Sequence, residues 1–217
     1  MTETTETNIL LVRHGQTAWN LGAGQVRYRG QTDIPLDKAG RAQASALARR
    51  LCSNKDSWLA NKPIAGIYAS PLQRAMQTAQ PTAEGLGLPV IPHPGLMDMN
   101  LGRWQGMTHS EAARRYPEIH RQWREAPHTV TLPDGENLAT VLKRSQDAVT
   151  ELVIRHAGKT VMLIGHQVVN KVLLCWLLGL DNSHYWRMTQ DNTCLNVFAH
   201  ADGVFRVVTL NDTCHLR

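Results

Sequence analysis

Arg13 and His14 stand side by side directly after the apolar run 8–12, and Gly15 follows them. The run is long enough for a buried strand. In open α/β sheets, ligands gather just past the carboxyl ends of strands. His166 has the same setting, because residues 159–164 read as a buried strand that Gly165 ends. Arg74 falls in the first turn of a helix that Ser70 is expected to cap, with Pro71 at its first position. Where those strands are neighbours, two arginines and two histidines converge at one sheet rim, and the positive end of the helix points there as well. Such a cluster suits a phosphate dianion, since guanidinium forks hold oxygens bidentately and helix starts present free amides.

A pocket of this kind can also catalyse. A neutral imidazole nitrogen attacks phosphorus, and neighbouring cations keep an imidazole neutral by lowering its pKa. The transferring group carries negative charge on its equatorial oxygens, which fixed cations stabilise. No metal or cofactor is needed for that chemistry, and the sequence holds neither a His-Glu-x-x-His motif nor an acidic cluster for magnesium. The leaving alkoxide requires a proton. Asp98 is the expected acid, since it lies in the irregular stretch above the rim and a phosphate bound nearby would keep it protonated. Glu111, Asp134 and Glu136 are the competing carboxylates, and Glu136 suits the first turn of the long helix after it.

These groups need elements to position them. Residues 18–21 fit a short helical turn. The following stretch to Gln31 is rich in glycine and basic residues. Its Gly22-Ala23-Gly24 triplet is no nucleotide loop, because Arg27 takes the place of the last glycine and no strand leads directly in. A helix starts at Asp37, which caps it, with Leu36, Ala39, Ala42, Ala46, Leu47 and Leu51 as its apolar stripe. Residues 63–69 read as a strand, the helix after Ser70 ends by Gly85 or Gly87, and residues 89–92 form a short strand. Residues 93–135 are irregular. They carry Asp98, a Gly-x-Trp-x-Gly run at 102–106, a basic helical stretch with Arg114, Arg115, Arg121 and Arg124, and a turn at Leu132-Pro133-Asp134-Gly135. A long helix is expected over 136–156, and another from His166 to Leu178. Two late strands, 192–200 and 203–210, meet at Asp202-Gly203. This alternation predicts a single α/β domain over residues 1–217. It is a three-layer α/β/α sandwich with a largely parallel central sheet and a small inserted helical cap near 93–135.

Composition limits the partners. Apolar residues make up 42% of the 217 and charged residues 19%, enough to bury a real core. Lys and Arg total 23 against 18 for Asp and Glu, spread along the chain with no block that reads as a nucleic-acid arm. Cys52, Cys175, Cys194 and Cys214 form no Cys-x-x-Cys pair and are expected to be buried free thiols. Residues 1–7 lack the basic start and apolar core of a signal peptide. The apolar run 172–180 falls well short of the ~20 residues of a membrane span. The expectation is a cytoplasmic protein with no nucleic-acid and no membrane partner. A homodimer is compatible with the sequence, small homodimers being common.

Motifs in order over residues 9–180 resemble the histidine phosphatase superfamily, the phosphoglycerate mutase-like proteins of branch 1. They are Leu11-Val12-Arg13-His14-Gly15-Gln16-Thr17-x-Trp19-Asn20, then Ser70-Pro71-Leu72-Gln73-Arg74-Ala75-x-Gln77-Thr78-Ala79. Leu96-x-Asp98-x-Asn100-x-Gly102-x-Trp104-x-Gly106 and Pro133-Asp134-Gly135-Glu136 follow, and Gly165-His166 precedes an apolar helix. The resemblance implies a phosphohistidine at His14. It implies a phosphate pocket of Arg13, Asn20, Arg74 and His166, helped by the backbone amide of Gln167. Arg29 and Gly30 match the loop position that faces substrate in relatives. Asp98 stands where this branch usually has glutamate, the loop between Asn20 and Arg27 is longer than usual, and Gly165-His166-Gln167-Val168-Val169-Asn170 replaces the common His-Gly-Gly.

The implied function is a metal-independent phosphatase that hydrolyses a small phosphomonoester metabolite, such as phosphoserine, a sugar phosphate or a phosphoglycerate. A phosphoglycerate mutase is the alternative. By resemblance the mutases hold a carboxylate with a tyrosine, a lysine and an arginine pair, where this sequence has Leu101, His109 and Arg124-Glu125. Glu125 would repel a carboxylate, so the phosphatase is favoured on its site residues. A non-catalytic phospholigand-binding protein is the alternative of another class, and the complete set Arg13, His14, Arg74, Asp98 and His166 argues against it. The elements 167–170 and Asp191-Asn192-Thr193 are similar to those of metal-independent phosphoserine phosphatases.

Overall fold

A strand covered on both faces is apolar through its middle, and Thr7–Arg13 (β1) is buried along its whole length. Ile9 and Leu11 join the hydrophobic cluster on one face of the sheet, Leu10 and Val12 the cluster on the other, as the two-residue period requires. The computed structural model describes residues 6–20, 26–53, 56, 59 and 62–217. Most of the leader, the Gly22-Ala23-Gly24 triplet and the centre of the long loop after Asn20 lie outside them.

Ile64–Ala69 (β2), Val90–Pro92 (β3), Thr160–Gly165 (β4), Leu195–Ala201 (β5) and Val204–Asp212 (β6) complete a six-stranded sheet of order β3-β2-β4-β1-β5-β6. β3, β2, β4 and β1 run parallel, while β5 and β6 are antiparallel, so the sheet is mixed at one edge. Asp202 and Gly203 join β5 to β6 with φ of 50° and 78°. Two positive φ values in succession are what a tight type I′ hairpin demands.

The helices are Lys38–Cys52 (α1), Gln73–Leu86 (α2), His109–Arg115 (α3), Pro117–Glu125 (α4), Leu138–Arg155 (α5) and Gln167–Leu177 (α6). Leu47 and Leu51 of α1 and Ala75, Ala79 and Ala83 of α2 cover one face of the sheet. Val149 and Leu152 of α5 and Val169, Val172 and Leu173 of α6 cover the other. The result is the expected α/β sandwich. Between β3 and α5 lie short 3₁₀ turns and the helices α3 and α4, whose Ala112, Trp123 and neighbouring Trp104 join the same core. Among the described residues no helix is long and apolar enough to cross a membrane.

Local expectations divide. Asp37 caps α1, its side chain accepting from the Gly40 amide at 2.7 Å. Ser70 does not cap α2. Pro71 holds its predecessor extended, the helix begins only at Gln73, and the carboxylate of the distant Asp33 accepts from the Gln73 amide at 2.8 Å. The basic helical stretch is two helices, parted at Tyr116 because Pro117 opens α4. Glu136 lies before α5, whose cap is Asn137, so it does not serve the first turn. The four cysteines are free, but only Cys175 and Cys194 are buried. Cys52 ends α1 and Cys214 sits in the C-terminal turn, and both are exposed.

Candidate active site

β1 and β4 are neighbours in register, with Arg13 opposite Gly165. The next residues, His14 and His166, therefore stand together at the rim, their ring centroids 5.1 Å apart. β2 borders β4 on its other side with Ala69 opposite Ile164, and α2 starts a few residues on, which delivers Arg74 to the same place. Both histidines and Arg74 are fully buried.

The hydrogen bonds of the two imidazoles assign opposite tautomers. A carbonyl oxygen only accepts, so His14 Nδ1, 2.6 Å from the Gly15 carbonyl, carries the proton. Its Nε2 holds a lone pair and is buried with no partner among the described residues. Arginine Nε–H only donates, so His166 Nδ1, 3.1 Å from Arg74 Nε, is the acceptor. The His166 proton is on Nε2, also buried and unpartnered among the described residues. Burial pushes both imidazoles well below the ordinary histidine value, and Arg74 adds to it in each case, with Arg29 and Arg13 further lowering His14. The neighbouring cations thus act as expected, but burial is the larger cause.

Arg74 is held in place before any ligand arrives. Nη1 donates to the Thr32 carbonyl at 2.8 Å, and Nη2 donates to the Gly30 carbonyl at 2.7 Å and to Asp98 Oδ2 at 3.1 Å. Asp98 Oδ2 is also 3.7 Å from His166 Nδ1, which is neutral, so only Arg74 pairs with the carboxylate as a charge. Burial raises the Asp98 pKa above the usual carboxylate value, against the opposing pull of Arg74 and Arg29. The other carboxylates are occupied elsewhere. Glu111 closes the capping box of α3, Asp134 pairs with the exposed Arg103 at 2.6 Å, and Glu136 pairs with Arg144 at 2.9 Å and accepts from the Asn100 amide at 2.7 Å.

Arg13 donates from Nη1 to the Gln190 carbonyl at 2.5 Å, and burial lowers its pKa. Arg29 is lowered to about 10, first by burial and then by Arg13, so it remains a cation at neutral pH. Gly30 has φ of 50°, and a Cβ there would collide with the Gln105 side chain. The bare backbone lets its carbonyl meet Arg74. Gln167 opens α6, where the first amides lack intrahelical partners. Asn20 is placed differently. Its Oδ1 accepts from the amide and hydroxyl of Thr17, both at 3.0 Å, and it makes no described contact with the other site residues.

A cavity of about 540 Å³ opens beside this cluster. Arg29, Gly30, Asp98 and Gln167 line it below, and His109, His120, Trp123 and Arg124 of α3 and α4 line it from above. Asp98 is its one carboxylate among the described lining residues. The imidazoles of His109 and His120 are both lowered, chiefly by burial. Tyr185 and Trp186 form a side wall, and the buried Lys171 packs under both rings at 4.8 and 4.7 Å. Sequence reasoning named neither Lys171 nor Arg144. Arg144 holds the Asp98 loop through the carbonyls of Gly95, Met97 and Asp98 at 3.1, 2.6 and 3.0 Å. A basic residue on the buried side of a long helix was the available signal for it.

Known proteins resemble this chain in sequence and in fold. The family model of the histidine phosphatase superfamily (branch 1) matches residues 9–213. Phosphoserine phosphatase 1 of Hydrogenobacter thermophilus is 35% identical over 208 residues, 96% of this chain and 93% of that protein. Glucosyl-3-phosphoglycerate phosphatase of Mycolicibacterium vanbaalenii is 34% identical over 183 residues, 79% of this chain and 74% of that protein. The solved structure of Bacillus stearothermophilus YhfR has a TM-score of 0.88 at 31% identity, covering 97% of this chain and 100% of that one. With the family model matching nearly the whole chain and two phosphatases so similar over most of its length, the chain belongs to branch 1 of the histidine phosphatase superfamily and is a phosphoric monoester hydrolase.

Proposed function

We propose that the protein hydrolyses a small phosphomonoester carrying a carboxylate, phosphoserine first among them, through a phosphohistidine at His14. One observation carries this reading: His14 Nε2 is buried, deprotonated by its tautomer and left without a partner among the described residues beside Arg13, Arg29 and Arg74. In the first step the Nε2 lone pair forms a bond to phosphorus and the ester P–O bond breaks. Asp98, whose pKa burial raises and the incoming phosphate dianion raises further, takes up a proton as the ester binds and gives it to the departing alkoxide. Arg13, Arg29, Arg74, the His166 Nε2–H and the Gln167 amide neutralise the charge on the equatorial oxygens. In the second step the Asp98 carboxylate takes a proton from water, the oxygen attacks phosphorus, and the P–N bond breaks to restore neutral His14 and release phosphate. No step calls for a metal ion. Asn20 offers its Nδ2 to a phosphate oxygen while Oδ1 stays on Thr17.

Arg124 in the upper wall of the cavity supports the carboxylate, while Glu125, which would repel one, pairs with Arg121 at 3.0 Å and is not among the residues that line the cavity. Phosphoserine and glucosyl-3-phosphoglycerate, the substrates named for the two relatives, share that group beside the phosphoester. The test is phosphate release from a panel of phosphorylated metabolites in chelator, with no bisphosphoglycerate added. Phosphoserine is expected to be among the best substrates and His14→Ala to be inactive on all of them. Rapid interconversion of phosphoglycerates without net phosphate release would replace this reading with a mutase.

A further inference from the structure

The segment before β5 takes no part in these steps, yet it grips both residues at the end of β1. Because β5 is antiparallel to β1, its start lies at the rim, with Leu195 opposite Val12. The Gln190 carbonyl accepts from Arg13 Nη1 at 2.5 Å. The His14 carbonyl accepts from Asn192 Nδ2 at 3.1 Å and from the Thr193 amide at 3.4 Å. Thr193 does this at φ of 53°, a region that a β-branched residue occupies only when its surroundings enforce it.

The Gln190 side chain explains how that carbonyl is kept in place. Its Nε2 donates to Asn196 Oδ1 at 2.9 Å, and Asn196 Nδ2 donates back to Gln190 Oε1 at 2.9 Å. Asn196 Nδ2 also donates to the Leu11 carbonyl at 2.9 Å, and Asn170 Nδ2 donates to Gln190 Oε1 at 3.3 Å. All three amides are buried. Buried amides are costly unless bonded, and apolar residues would fill the same space more cheaply. Here the two amides form a reciprocal pair that is also tied to the backbone around it, Gln190 Nε2 donating to the Thr189 carbonyl at 2.9 Å and Asn196 Oδ1 accepting from the Asn211 amide at 2.9 Å, so the segment that carries the Gln190 carbonyl is held in one place.

We propose that Gln190 and Asn196 are positioning residues of the phosphate site: their amide pair sets the Gln190 carbonyl, and that carbonyl sets the guanidinium plane of Arg13. The proposal rests on Arg13 being a phosphate ligand. A guanidinium grips two phosphate oxygens only when its plane is aligned with them, and a misplacement of about 1 Å can cost on the order of 10²-fold in rate.

The test is a double-mutant cycle read by orthovanadate binding in titration calorimetry. There the stoichiometry reports the folded fraction and Kd reports the site. Gln190→Met keeps the volume and the backbone carbonyl but removes the amide, and Asn196→Ala removes its partner. In the Arg13 background each is expected to weaken vanadate binding about tenfold, with kcat/KM falling in parallel. In the Arg13→Ala background each should change Kd by no more than about twofold, the margin for independent sites. Equal weakening in both backgrounds, or a lowered stoichiometry with unchanged Kd, would show that the network only stabilises the fold and would overturn the proposal. His14→Ala is measured alongside. Turnover in that variant would break the phosphohistidine reading, whereas an inactive His14→Ala with additive cycles would defeat the positioning role alone.

Discussion

At the residue scale, the site depends on two histidines that differ only in where their one proton sits. The Gly15 carbonyl accepts from Nδ1–H of His14, and Arg74 Nε–H forbids a proton on Nδ1 of His166, so one ring offers a lone pair at Nε2 and the other a donor. Asp98 lies among the cations despite being one methylene shorter than the usual glutamate. Its proposed role as general acid and base would separate two kinds of ester. An alkyl phosphate leaves as a basic alkoxide that needs a proton, while nitrophenolate leaves with little help, and general acid catalysis contributes about 10²–10⁴-fold. Asp98→Asn should therefore cut kcat by that order on phosphoserine. On nitrophenyl phosphate it should give a burst of nitrophenolate followed by a stall, because the same group serves as base for water. Equal losses on both esters without a burst would assign Asp98 a purely structural role.

At the scale of elements, the loop 26–31 and the cap hold one another. The Tyr28 amide donates to the Met107 carbonyl at 2.9 Å, and the Gly106 amide donates to the Tyr28 carbonyl at 2.8 Å. That pairing places Arg29 beneath α3 and α4, so the proposed phosphate clamp and the upper wall of the cavity are joined through the backbone. Arg124 of α4 lines the cavity and has no described ion-pair or side-chain hydrogen-bond partner. If it meets the substrate carboxylate, Arg124→Ala should raise KM for phosphoserine about tenfold, the worth of one charge-assisted hydrogen bond. KM for phenyl phosphate, which has no carboxylate, should stay nearly constant. A parallel rise for both esters would place the carboxylate elsewhere.

At the scale of the whole molecule, burial of neutral histidines links stability to pH. The folded-state pKa values of His14 and His166 lie well below the ordinary value, so below pH about 6.5 the unfolded chain takes up protons that the folded protein refuses. Stability is then lost as pH falls through that region, by about 1.4 kcal/mol per pH unit for each proton. His166→Asn, which can still accept from Arg74, should flatten the fall in melting temperature between neutral and mildly acidic buffer. An unchanged slope would mean that these imidazoles are not held neutral. The strand-exit placement of Arg13, His14 and His166 was legible in the sequence, because two apolar runs of matched length each end at a histidine and parallel pairing brings the ends together. The start of α2 was not, since its cap comes from Asp33, about forty residues earlier, and no local pattern reports that. Arg144, Lys171 and the Gln190–Asn196 pair were equally hidden, because each acts through neighbours that only the packing supplies.

The proposed mechanism turns on a covalent bond between phosphorus and His14 Nε2. Mixing the protein with labelled nitrophenyl phosphate, quenching in alkali within the first turnover and mapping the label by proteolysis tests it directly. Acid-labile, base-stable phosphate is expected on the peptide that contains His14, enriched in Asp98→Asn and absent from His14→Ala. Steady phosphate release with no label on that peptide in any of the three proteins would contradict it.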